Sequence, residues 1–243
     1  MKRGQIALFV IIAILIVVAV GFLVYTQREA IGFKQGINAE IRPINSFIED
    51  CIKSTGEDAL IFVGKQGGYF DLPKNLIDSY AYYFYDNKSY LPSKEIIENQ
   101  ISLYMNEMLP FCTKNFVDFK DFQIEADPEA VNTKTTILKD KITFDVSWLV
   151  SIKKLESTYT LNQFSADVKS RMNAVYSVIQ NMTEEQLKDP SSICISCLTE
   201  LAIENDFYIN MEDYGNDTTV FTITDNKILI NDQNYNFVFA NRY

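Results

Sequence analysis

The chain has 243 residues, with 22 Lys and Arg against 32 Asp and Glu and no His, for a formal net charge of −10. The lack of His removes Ser-His-Asp and Cys-His catalysis, His-ligated zinc and His proton relays. The acidic balance, with no basic cluster beyond the N-terminus, argues against nucleic-acid binding, and the 47% of hydrophobic residues suffices for a packed core.

The first feature along the chain is the stretch 6–25, IALFVIIAILIVVAVGFLVY, which has no charge, no Pro and no amide side chain. As a helix rising ~1.5 Å per residue it would span ~30 Å, the hydrocarbon thickness of a bilayer. Within lipid a lone segment satisfies its backbone only as a helix. A single transmembrane helix is therefore expected over 6–25. Lys2 and Arg3 ahead of it favour a cytoplasmic N-terminus and an extracytoplasmic body. The run exceeds the ~7–15 apolar residues of an ordinary secretory signal. Thr26-Gln27-Arg28-Glu29-Ala30 also puts charge where a cleavage site needs small residues. A plain uncleaved anchor and a processed leader both remain.

The processed alternative rests on Arg3-Gly4-Gln5-Ile6, a basic residue, Gly and Gln leading directly into an apolar helix. This lead-in resembles the class III signal of archaeal type IV pilin-like proteins. The resemblance covers about the first 25 residues. It implies a prepilin peptidase that cuts after Gly4, a mature chain that starts at Gln5, and a helix able to pack into a filament. Two positions depart from the pattern. Phe9 stands where many such proteins carry an acid, and Ala7 where many carry Ser or Thr. The missing acid bears on assembly more than on processing.

Residues 26–42 read as a polar connector and 43–243 as an α+β body, with a seam near 111–130. Pro43 suits a first helical turn, and Ile44, Phe47, Ile48, Cys51 and Ile52 recur at helical spacing, so a helix is expected over 43–64. Gly64 or Gly67-Gly68 would end it; GKQGG lacks the Lys-Ser/Thr of a phosphate loop. The Tyr-rich stretch 69–92 holds a strand, AYYFYD, and offers either core aromatics or a surface for a glycan or partner. Ser93 caps a second helix expected to stop at Pro110. Two strands follow around Lys139-Asp140-Lys141, and 153–161 reads as a third of the same meander. Phe164, Val168, Met172, Val175 and Ile179 suggest a helix over about 163–187, and Pro190-Ser191-Ser192 opens another to about 205. The C-terminal part returns to strands, with Gly215-Asn216-Asp217 and Asp225-Asn226 as turn signals.

Four cysteines, Cys51, Cys112, Cys194 and Cys197, allow three disulfide pairings. The preferred one joins Cys51 to Cys112, tying the first two helices, and leaves Cys194 and Cys197 as a local pair. Their spacing does not suit a zinc site, and no metal, cofactor or catalytic residue is assigned. Cys194-Ile195-Ser196-Cys197 falls in the first turn of an expected helix, where free amides and the helix dipole lower a thiol pKa. That is the arrangement of thiol–disulfide exchange, set against a plain structural disulfide. Asn87, Asn181 and Asn216 are N-x-Ser/Thr glycosylation candidates.

The expectation is a membrane-anchored, cell-surface structural or interaction protein and not an enzyme. It could be a pilin-like subunit whose partners are membrane lipid, a prepilin peptidase, and copies of itself or other surface proteins. Two other classes stay open: an anchored redox protein using Cys194 and Cys197, and an anchored ligand-binding or sensor module.

Overall fold

The body is built around its first helix, α1 (Arg42–Lys65), which carries Ile44, Ile48, Cys51, Ile52, Ala59 and Leu60 on one buried stripe. The computed structural model describes residues 37–74 and 76–243. The expected leader 1–5, the span 6–25 and most of the connector 26–42 lie outside the described residues. No helix among the described residues is long and apolar enough to cross a membrane. Residues Pro43–Tyr243 form one compact unit.

Among the described residues, two sheets and four α-helices make up this mixed α+β body. α1 touches both sheets. At Gly56 an added Cβ would sit 2.5 Å from the ring of Phe144, so only Gly lets the helix lie this close to the four-stranded sheet. One end of α1 reaches the other sheet at Tyr235 and Asn236. Gly67 and Gly68 then end the helix. Gly67 takes the left-handed cap position at φ +63°, and the Gly68 N–H closes the cap by donating to the Val63 carbonyl at 2.8 Å.

The first sheet has six strands. β1 (Leu76–Ile77), β2 (Tyr80–Tyr85) and β3 (Lys88–Ser89) form one edge, and β8 (Tyr208–Gly215), β9 (Thr218–Ile230) and β10 (Gln233–Arg242) the rest. The order is β1-β2-β10-β9-β8, with β3 also on β2. β2 and β10 run parallel; the other pairs are antiparallel. An aromatic stack fills the buried face: Tyr83 lies on Phe239 at 4.8 Å and Phe239 on Phe221 at 5.3 Å.

The second sheet is organised by β6 (Lys141–Lys154), whose Ile142, Phe144, Val146, Trp148, Val150 and Ile152 all point inward. This is the period-2 pattern of a half-buried strand. β7 (Ser157–Lys169) pairs along one side of β6. The other side is shared by β5 (Asn132–Ile137) and β4 (Gln123–Ala126). Residues 111–130, where a seam is expected, lie within the compact unit and supply β4.

The second helix, α2 (Lys94–Thr113), seals the free edge of β5. Glu98, Ser102 and Asn106 accept hydrogen bonds from the backbone N–H groups of Ile137, Thr135 and Thr133 at 2.8, 3.0 and 2.8 Å. The match is geometric. Four helical residues advance ~6 Å, and two strand residues advance ~6.8 Å. A side chain from each turn therefore meets each outward-facing N–H, and an edge that would invite pairing with another chain is closed. Ser102→Ala should leave the Thr135 N–H buried without an acceptor and cost about 1–3 kcal/mol. The urea midpoint of the variant measures this; an unchanged midpoint would mean that the side-chain ladder does not hold the edge.

Several boundaries differ from expectation. α2 continues through Pro110 to Thr113. The proline takes one N–H out of the helix and crowds the carbonyl one turn back, and the last turn is nevertheless held by burial of Leu109 and Thr113 and by the Thr113 hydroxyl donating to the Pro110 carbonyl. The third helix, α3, covers Met172–Lys188, so Phe164 and Val168 belong to β7 and not to a helix. A spacing of four returns to the same face in a strand as well as in a helix, so that pair could not tell the two apart. The fourth helix, α4, covers Ile195–Asn205 and begins later than Pro190-Ser191-Ser192 suggested. Asp225-Asn226 is no hairpin turn but part of a bulge within one long strand, β9. Asp225 pairs with Tyr235, while the next paired residue of β9 is Leu229, opposite Asn234.

Candidate functional site

Cys194 and Cys197 sit where α4 meets the loop after α3. The intervening loop is held from one side chain: Gln186 Nε2 donates to the carbonyls of Asp189 and Ser192, both at 3.0 Å. The Ser192 hydroxyl, then the Ser191 hydroxyl and N–H, donate to the Asp189 carboxylate and hold its pKa below the ordinary range. These bonds use up the residues that were expected to open the helix. The N-cap position therefore passes to Cys194, whose Sγ accepts the Cys197 N–H at 3.3 Å.

Cys194 and Cys197 are joined as a disulfide, with Cys194 exposed and Cys197 half-buried. A cavity of about 270 Å³ opens beside them, between α3, α4 and the six-stranded sheet. Met182, Leu198, Leu201 and Phe221 give it apolar walls, and Asn241 of β10 lies in its lining. Asn241 is 2% exposed, and its Oδ1 has no hydrogen-bond partner. An unpaired amide oxygen at such depth is costly unless something donates to it. Asn241 carries no sequence signal, because an Asn outside any motif reads as a surface residue.

The other pair, Cys51–Cys112, links α1 to the last turn of α2. Cys51 is 3% exposed and Cys112 half-buried, so this bond is rooted in the core at its α1 end. Among the described residues no cysteine is free, and no group of three or more His, Cys, Asp or Glu is arranged to hold a metal.

The three glycosylation candidates differ in setting. Asn87 is exposed at the tip of the β2–β3 turn, with Lys88 and Ser89 exposed after it. Asn216 is exposed at the β8–β9 turn, but Thr218 is buried. Asn181 lies within α3, and its Thr183 is buried, with the hydroxyl donating to the Ile179 carbonyl.

The Tyr-rich stretch divides between core and surface. Tyr83 and Phe84 are fully buried, and the Tyr83 hydroxyl donates to the Gly67 carbonyl at 2.8 Å. Burial raises the Tyr83 pKa well above its ordinary value. Tyr82, Tyr85 and Tyr90 stay partly exposed as a chain of ring contacts, with the Arg242 guanidinium 5.4 Å from the Tyr85 ring. A second concavity, of about 720 Å³, lies at the end of α2 beside exposed Phe111.

Compared with known proteins, the chain matches no family model, no curated protein and no solved structure.

Proposed function

We propose that the chain is a single-pass membrane protein that holds its α+β body outside the cell as a structural or interaction component of the surface. In this reading it is a pilin-like subunit processed after Gly4. The observation that carries the proposal is the Cys51–Cys112 disulfide, rooted in the core and joining the two long helices. Such bonds form and persist in oxidising compartments and are rare in the cytosol. The apolar run 6–25, preceded by Lys2 and Arg3, supplies the anchor and the orientation. Gly4-Gln5 supplies the processing signal by resemblance.

A ligand-binding role is the second reading, favoured by the partly exposed rings of Tyr82, Tyr85 and Tyr90 around Arg242.

Intact mass of the protein purified from its own membrane tests the main reading. A chain beginning at Gln5 is expected, and protease added to whole cells should remove the body. Retention of Met1 or Lys2 would end the processing proposal. A body protected in intact cells would end the orientation proposal.

A further inference from the structure

We propose that the Cys194–Cys197 disulfide is the reactive centre of a thiol–disulfide exchange site for peptide dithiols, with the adjoining cavity receiving the apolar side chain beside the attacking cysteine. This goes beyond an anchoring or scaffolding role and does not depend on how the N-terminus is processed.

Three observations converge on the site. The two disulfides of the body are unequal in access: Cys51 is 3% exposed and Cys112 half-buried, whereas Cys194 is exposed and Cys197 half-buried. The accessible bond also sits at a helix N-terminus, with Cys194 as the N-cap of the eleven-residue α4 and its sulfur receiving the Cys197 N–H. Donors and a helix dipole at this point stabilise a thiolate on Cys194, which makes it a good leaving group. The third observation is the cavity itself. At about 270 Å³ it is smaller than the ~300–1,000 Å³ pockets of drug-sized ligands but has room for an amino-acid side chain. Its walls are mostly apolar, and Asn241 adds one buried, unpartnered acceptor. A peptide provides both complements: an apolar side chain for the walls and a backbone N–H for Asn241 Oδ1.

The chemistry balances without any further reagent. A thiolate of the substrate attacks Cys194 Sγ. The substrate–Cys194 disulfide forms, the Cys194–Cys197 bond breaks, and the electron pair leaves on Cys197, which takes up a proton. The second substrate thiolate then attacks the substrate sulfur of the mixed disulfide. It closes the substrate disulfide and expels the Cys194 thiolate onto the Cys197 N–H. Two electrons pass from the substrate dithiol to the chain; of the dithiol's two protons one is taken up by Cys197 and the other goes to solvent, Cys194 remaining a thiolate. Attack at Cys194 follows from exposure, and the second departure from the N-cap hydrogen bond.

The test uses the full-length oxidised protein in detergent under anaerobic conditions. The probe is a synthetic peptide with two reduced cysteines flanked by leucines; dithiothreitol is the small-thiol reference. Digest mass spectrometry follows each disulfide separately. Cys194–Cys197 should be reduced while Cys51–Cys112 stays intact, with one peptide disulfide formed per chain. Leu201→Trp, which fills the cavity, and Asn241→Leu, which removes the acceptor, should each lower the ratio of peptide rate to dithiothreitol rate about tenfold, the equivalent of about 1.4 kcal/mol. Near-ultraviolet circular dichroism identifies any variant that fails to fold, and the other then decides. Persistence of the Cys194–Cys197 bond in excess peptide would overturn the proposal. So would reduction of Cys51–Cys112 first, or the same rate ratio in both folded variants.

Discussion

Replacing Cys51 and Cys112 together with alanine should lower the unfolding free energy of the body by about 4 kcal/mol. The bond closes a loop with a sequence separation of 61, and in the chain-entropy account a loop of that size restricts the unfolded chain strongly. The local bond, with a separation of 3, restricts it little, so Cys194→Ala with Cys197→Ala should cost less than about 2 kcal/mol. Since a domain is typically stable by only about 5–15 kcal/mol, the first variant stands near the limit of folding and the second does not. Urea unfolding followed by Trp148 measures both. It is the chain's one Trp, and it is 2% exposed in the core. Equal losses in the two variants would refute the loop-entropy explanation. The contrast also separates a bond that holds the fold from one that is free to react.

A comparable loss is expected at Arg171. Its guanidinium makes a 3.0 Å ion pair with Asp225, whose side chain is 1% exposed. It also donates to the Asn205 carbonyl at the end of α4 and lies 4.3 Å from the Phe207 ring. Arg171→Ala therefore strips a buried carboxylate of its cation and the C-terminus of α4 of a positive partner, and about 3–5 kcal/mol should be lost. Arg171→Lys should recover only part of this, because an ammonium cannot reproduce the planar fork that meets Asp225 and Asn205 together. Removing both charges, as Arg171→Met with Asp225→Leu, should be milder than Arg171→Ala, since no unpaired charge stays buried. A double variant at least as unstable as Arg171→Ala would show that the burial of Asp225 is not the source of the loss.

Much of the fold was legible where local pattern and tertiary environment agree. The stripe Ile44, Ile48, Ile52 repeats every four residues, and the helix it predicts over 43–64 corresponds to α1. Ile142, Phe144, Val146 and Trp148 alternate, and β6 is the strand they predict. Ser93 is the predicted cap, with its side chain accepting the Ile96 N–H at 3.3 Å. Misreadings fall where two structures share one pattern. Phe164 and Val168 fit a helix and a strand equally, and only pairing with β6 makes them strand. Asp225-Asn226 has turn chemistry, but a cation from elsewhere in the chain lets Asp225 be buried within a sheet.

The candidate site was legible only in part. The spacing of Cys194 and Cys197 marks the pair, whereas the cavity and Asn241 depend on elements far apart in sequence. The loop held by Gln186 shifts the start of α4 to Ile195 and thereby turns Cys194 from a first-turn residue into the N-cap.

The sequence by itself determined the elements whose pattern fits one structure only, such as α1 and β6, because side-chain periodicity and capping act over a few residues and are written directly in the chain. It also carried the apolar stretch 6–25 and the four cysteines, since composition alone defines them. Only the tertiary structure decided that the Glu98, Ser102 and Asn106 side chains close the edge of β5. It also placed Arg171 against Asp225 and left the Oδ1 of Asn241 without a donor in the cavity beside a disulfide. Each is a meeting of groups distant along the chain, and which groups meet is set by the packing of α1 between two sheets, a property that no local window of the sequence contains.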